Sequence, residues 1–116
     1  MNGYEICKKA FLMMGFDNGN EIMLHNHNSV RDFEMINQIA SDLKLVCPNE
    51  LSDETGWSDE ESQAVIAGVA MLLSFIEGEI VKNQWFTSVY NAKRAALLGR
   101  VEKIEDTLPV GESGDV

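Results

Sequence analysis

Apolar residues recur at intervals of three and four along most of this chain, which is the spacing of one face of a helix. In the first such segment, Tyr4, Cys7, Phe11 and Met14 follow this spacing. No segment alternates apolar and polar residues over the length of a half-buried strand, and no hairpin turn signal lies between strand-like residues. The pattern therefore predicts four helices, over residues 3–14, 29–46 and 58–76 and from residue 80 or 83 to residue 107.

Residues that start or stop helices support these boundaries. Gly15 follows the first segment and can adopt the left-handed conformation that ends a helix. Pro48 follows the second segment and Pro109 the fourth, and a helix usually ends before a proline. Ser58 and Glu61 have the spacing of a capping box, in which each side chain accepts a hydrogen bond from the other residue's amide.

The third predicted helix is apolar on nearly every side. Residues 64–76 are 13 consecutive uncharged positions, fewer than the roughly 20 that a membrane span requires. A helix of this kind is packed on all sides. We therefore predict an all-α fold resembling a four-helix bundle, with antiparallel helices and the apolar third helix at its centre. The prediction places one helical domain at residues 1–108 and a short polar tail at 109–116.

Charge limits the classes of partner. The chain of 116 residues has a formal net charge of −10, which argues against non-specific binding to nucleic acid or to an anionic membrane. Two cysteines, Cys7 and Cys47, are too few for a disulfide scaffold, so we expect reduced thiols. The first residues contain no basic segment before an apolar stretch, so we expect no signal peptide and a soluble protein of the cytoplasm.

No pattern of residues indicates catalysis. His25 and His27 are the only histidines, and their spacing is not that of a zinc site. Residues 17–21 resemble the start of a calcium loop, but the twelfth position of that loop is Asn28 rather than Glu. No phosphate-binding loop and no arrangement of nucleophile and base is recognisable. We expect no enzyme activity, metal, cofactor or small-molecule ligand.

Opposite charges occupy separate stretches of the second half. Residues 50–61 contain six acids and no cation, whereas residues 82–103 contain five cations and one acid. Two interpretations stay open: the stretches face each other within one chain, or one subunit's acidic connector meets the next subunit's basic helix. We expect Trp85 and Phe86 to pack in the core, although exposed aromatic surface would indicate a protein contact. The candidate interface residues are Lys82, Trp85, Lys93, Arg94, Arg100, Lys103, Asp53, Glu54, Asp59 and Glu60.

The second half resembles a family of small phage proteins. The shared features are the Leu-Ser-Asp-Glu connector at 51–54, an apolar helix ending in Glu-Gly, the Trp85-Phe86 pair and the Tyr-Asn-Ala-Lys-Arg-Ala segment at 90–95. Over residues 51–109 the chain resembles the head–tail connector proteins of tailed bacteriophages and prophages, which are also called adaptor or head-completion proteins.

The resemblance implies an all-α virion assembly protein that performs no chemistry. Copies would form a ring beneath the portal, extend the channel through which DNA passes and offer a docking surface to the tail. An acidic lumen would repel phosphate and let DNA slide. The protein would lie in the host cytoplasm before it enters the virion. The alternative is an unrelated cytosolic helical module that binds or regulates a partner protein.

Overall fold

A computed structural model describes residues 1–15 and 29–106 of the chain, with side chains described up to residue 99. These ranges contain α1 (Gly3–Met13), α2 (Ser29–Asp42), α3 (Asp59–Ile76) and α4 (Ile80–Asp106), and no strand. The predicted all-α fold is confirmed. No helix in the described part of the chain is both long and apolar enough to cross a membrane. Residues 16–28, which lie between the first two predicted helices and include both histidines, and the predicted tail lie outside the described residues.

The third helix lies at the centre, because α1, α2 and α4 all pack against it. Every residue from Ala64 to Ala70 is buried. At Gly68 the helices approach closely: a Cβ atom there would lie 2.6 Å from Cγ2 of Ile39 on α2 and 2.9 Å from Cε1 of Tyr90 on α4. The absence of a side chain at this position therefore allows α2 and α4 to approach α3 together.

Capping boxes begin both α1 and α3. The Ser58 hydroxyl accepts from the Glu61 amide at 3.2 Å, and the Glu61 carboxylate accepts from the Ser58 amide at 2.8 Å. The box predicted at this position is thus confirmed. A second box joins Asn2 and Glu5 at the start of α1. Asn is a strong N-cap residue, so the same spacing rule would have identified it.

The connector between α2 and α3 holds the start of the chain. Gly3 and Tyr4 both donate backbone N–H groups to the Leu51 carbonyl, at 2.8 and 3.3 Å. Leu51 is buried beneath them. The Thr55 hydroxyl donates to the Met1 carbonyl at 2.9 Å. Leu51 is therefore part of the core, and hydrogen bonds fix the acidic connector to the start of the chain.

The second helix is shorter than the sequence predicted. It ends at Asp42, not at residue 46, because Lys44 adopts a left-handed conformation with φ of 60°. The Leu45 amide then bonds to the Ala40 carbonyl at 2.8 Å, which is the pattern of a Schellman stop. Glycine normally occupies the left-handed position, so Lys44 gave no sequence signal. Pro48 lies beyond the actual end.

The prediction that Trp85 and Phe86 both pack in the core is wrong for Trp85. Phe86 is 2% exposed, whereas Trp85 is 59% exposed. Successive residues of a helix point about 100° apart, so only one of the pair can face α3. The two rings meet edge to face with centroids 5.1 Å apart.

A glycine pair tests the close contact at the centre. We expect Gly68→Ala to lower the free energy of unfolding, because overpacking costs about 1–3 kcal/mol. Gly99 in α4 has no atom within 4 Å of a Cβ position, so Gly99→Ala should raise stability by up to about 1 kcal/mol through helix propensity. Urea denaturation of both variants measures the difference. Equal stability of the two variants would contradict the close approach.

Candidate protein-interaction site

Large apolar side chains are exposed where α3 turns into α4. Phe75, Ile76, Ile80, Val81 and Trp85 are each between 51% and 79% exposed. We call these five residues the apolar end surface. Each is more than half exposed, and large apolar residues grouped at the surface in this way mark contacts with other proteins.

The backbone beneath this surface is held by hydrogen bonds. Gly78 makes the turn with φ of 73°. The side-chain amide of Asn83 on α4 donates from Nδ2 to the Met71 carbonyl at 3.0 Å and to the Ser74 hydroxyl at 3.2 Å. The Glu79 amide bonds to the Ser74 carbonyl at 2.9 Å. The exposed side chains therefore project from a turn that hydrogen bonds hold in place, which favours a preformed binding surface.

Arg94, a predicted interface residue, contacts its own chain. Its Nε donates to Oδ2 of Asp42 at 2.8 Å, and the Tyr90 hydroxyl donates to the same oxygen at 2.5 Å. The hydrogen bond from Tyr90, followed by that from Arg94, lowers the pKa of Asp42. Burial, then the bond to Asp42, raises the pKa of Tyr90. This cluster joins the end of α2 to α4, and Arg94 places a cation at a helix C-terminus, where the dipole favours it.

Other predicted interface residues also make contacts within the chain. Lys82 Nζ donates to the Met14 carbonyl at 2.7 Å. Asp53 accepts from the Glu50 amide at 3.2 Å. Glu54 binds the Met1 ammonium group at 2.6 Å. Among Lys82, Trp85, Arg94, Asp53 and Glu54, only Trp85 presents a large apolar surface to solvent.

Among the described side chains, members of the acidic and basic stretches line the same depression. Asp59 and Glu60, at the start of α3, line an open depression together with Lys93 of α4. Arg100 and Lys103 lie in α4, but their side chains are not described. The structure thus places Lys93 next to two acids and leaves Lys82 elsewhere. The role of these residues in an interface between subunits stays a prediction.

The described residues include no cluster of three or more potential metal ligands. Cys7 is buried beside Asp32, and burial, with a smaller contribution from Asp32, raises the pKa of its thiol to about 12. A thiol of this kind is not nucleophilic near neutral pH. Both cysteines are free.

Comparison with known protein families, curated proteins and solved structures finds no match to this chain.

A Tyr90→Phe variant tests the cluster at Asp42. We expect it to lower the free energy of unfolding by about 1 kcal/mol at pH 7. The variant loses a hydrogen bond to a charged group, and solvent exposure of Asp42 reduces what that bond contributes. A carboxylate whose pKa is lowered by folding stabilises the folded state at pH values above its pKa in the unfolded chain, about 3.9. This stabilisation is lost as the pH falls below that value. The gap between wild type and variant should therefore narrow below about pH 4. Chemical denaturation at several pH values measures it, and a constant gap would contradict the role of Asp42.

Proposed function

We propose that the protein is a non-enzymatic assembly subunit of a tailed phage or prophage, a head–tail connector protein that forms a ring under the portal. The observation that carries this proposal is the apolar end surface, which lies on a hydrogen-bonded turn between α3 and α4. A surface of this chemistry serves binding, since burial of apolar area drives association between proteins.

The segment that resembles connector proteins is also the segment that forms this surface. Residues 51–109 include the acidic connector, α3 and the turn into α4. In this proposal the apolar end surface docks on the portal or on a tail protein. The connector then presents its exposed acids, among them Glu50 and Glu54, to the neighbouring subunit.

Ring formation requires two different patches on the same subunit, because a head-to-tail contact is not self-complementary. Exposed acids of the connector and the cations of α4 would be these two patches, although Lys82 and Arg94 also bond within their own chain. The net charge of −10 also suits a channel for DNA, because the wall would repel the phosphate backbone. DNA would then pass without specific binding.

The alternative, a helical module that binds a cytosolic partner, is also compatible with the apolar end surface alone. Gene neighbourhood separates the two functions, since portal, terminase and capsid genes beside this gene favour the connector. Assembly on a portal ring is the direct biochemical criterion.

Binding to the portal protein encoded beside this gene tests the role of the apolar end surface. We expect wild-type protein to co-sediment with portal rings and Phe75→Asp to lose binding at least ~10-fold, because a charge would replace a buried contact. Val46→Asp is the control, since Val46 is exposed but lies away from this surface. Absence of wild-type binding would overturn the connector assignment.

Salt and a charge reversal test the contact between subunits. Assembly on portal rings should weaken from 0.1 to 1 M salt, because the Debye length falls from about 10 Å to about 3 Å. Lys93→Glu should weaken assembly further. Lys9→Glu, which makes the same charge change at an exposed position of α1, should not. Electron microscopy of the rings measures occupancy. Equal occupancy for both variants would show that the charge of Lys93 has no part in assembly.

A further inference from the structure

A shallow depression opens beside the turn that carries the apolar end surface. It measures about 330 Å³ and is lined by Phe75 at the end of α3 and Ile80 at the start of α4, which are 75% and 72% exposed. The other lining residues are polar or small: Ser74, Gly78, Glu79, Asn83 and Gln84. This volume is at the lower end of the range, about 300–1,000 Å³, of pockets that hold ligands. One large apolar side chain of a partner protein would fit it.

The residues beneath the depression are fixed by hydrogen bonds. The fully buried Ser74 donates from its hydroxyl to the Met71 carbonyl at 2.8 Å and accepts from Nδ2 of Asn83 at 3.2 Å. A Cβ atom at Gly78 would meet no atom within 4 Å, so the backbone of the turn is accessible to a partner. A pocket that is formed before binding loses less conformational entropy when it is filled.

The charges beside the depression are acidic. Residues 74–81 contain two charged side chains, Glu77 and Glu79, and both are exposed. Glu79 lines the depression. The nearest cation along the chain, Lys82, is not among the lining residues, and its Nζ donates to the Met14 carbonyl of α1 at 2.7 Å. An apolar surface edged by carboxylates fits a partner that carries Lys or Arg beside a large apolar residue.

The same charges distinguish among the possible occupants. A two-fold contact joins the same patch of both subunits, so a second copy docked through this surface would bring together the carboxylates of Glu77 and Glu79 from both copies. Like charges placed against each other cost affinity. A nucleic acid or an anionic membrane would be repelled in the same way, because both present phosphate groups. The charges therefore favour a basic segment of another protein.

We propose that the apolar end surface binds a basic segment of a partner protein. A large apolar side chain of this segment enters the depression between Phe75 and Ile80, and a neighbouring Lys or Arg of the segment pairs with Glu79. A helix would present such residues side by side, three or four positions apart. The inference rests on the proposed function for the role of this surface, and it adds the chemistry of the segment that the portal or a tail protein supplies.

Selection from a random peptide library on the full chain tests this chemistry. We expect the enriched peptides to combine a large apolar residue with Lys or Arg within one helical turn. On a Glu79→Lys variant, the same selection should no longer enrich Lys and Arg. Enrichment of acidic or uncharged peptides on the wild type, or of no peptide at all, would overturn the proposal.

Two matched charge reversals measure the contribution of Glu79. For the most enriched peptide, fluorescence anisotropy at about 0.1 M salt should give at least a ~5-fold higher dissociation constant for Glu79→Lys, because attraction becomes repulsion. Glu34→Lys is the control. It makes the same charge change at an exposed position of α2, where Glu34 lines a different depression with Tyr4 and Leu51. Equal losses in both variants would show that net charge alone matters, which overturns the pairing with Glu79.

A second pair of variants tests the apolar contact. Ile80→Ser should weaken binding of the same peptide at least ~10-fold, because the variant loses apolar area that the peptide covers. Val46→Ser is the control, since Val46 is 82% exposed and Ile80 72%, and its affinity should not change. Thermal melts of both variants should agree with that of the wild type, because both positions are exposed. Unchanged binding by Ile80→Ser would overturn the depression as the docking site.

Failure of this proposal differs from failure of the connector function. A chain that co-sediments with portal rings but selects no basic peptide refutes the basic partner and leaves the connector function intact. A chain that binds basic peptides but not portal rings does the reverse. Sedimentation equilibrium of the full chain tests for a second copy. A dimer that Ile80→Ser dissociates would make another copy of this chain the occupant and overturn the proposal.

Discussion

Complete burial of the middle of α3 is the constraint from which the other features follow. A helix whose residues 64–70 are all buried must be covered on every side, and three other helices supply that cover. Gly68 lets two of them approach at the same level. Close packing there leaves little tolerance for added volume, because protein interiors are as dense as organic crystals.

This arrangement also explains the exposed surface. Burial along α3 stops short of its end, since Leu73 and Ser74 are buried whereas Phe75 and Ile76 are exposed. The fourth helix contacts the core mainly through its packing on α3, so one side of it remains open to solvent. The apolar end surface therefore includes the part of α3 that no other helix covers in the isolated chain. A partner in an assembly can cover this part.

Periodicity and capping residues predicted most of the fold, since their effects are local. The capping box at Ser58, the turn at Gly78 and the central position of α3 all follow from residues within a few positions of each other. The end of α2 could not be predicted in this way, because Lys44 adopts a left-handed conformation that its residue type does not favour. Exposure of Trp85 was also missed, because two adjacent aromatic residues do not reveal which one faces the neighbouring helix. The charge runs identified the cations of α4 but not their contacts, since Asp42, the partner of Arg94, lies in another helix.

The two tryptophans lie in different surroundings. Trp57 is half-buried in the connector, and its indole N–H donates to the Val46 carbonyl at 3.0 Å. Trp85 stands on the open side of α4, where water reaches most of its ring. Their fluorescence therefore divides between two events: emission from Trp57 responds to loss of the folded connector, and collisional quenching of Trp85 responds to whatever covers α4. The chain thus contains separate optical reporters of unfolding and of association, and neither requires a label.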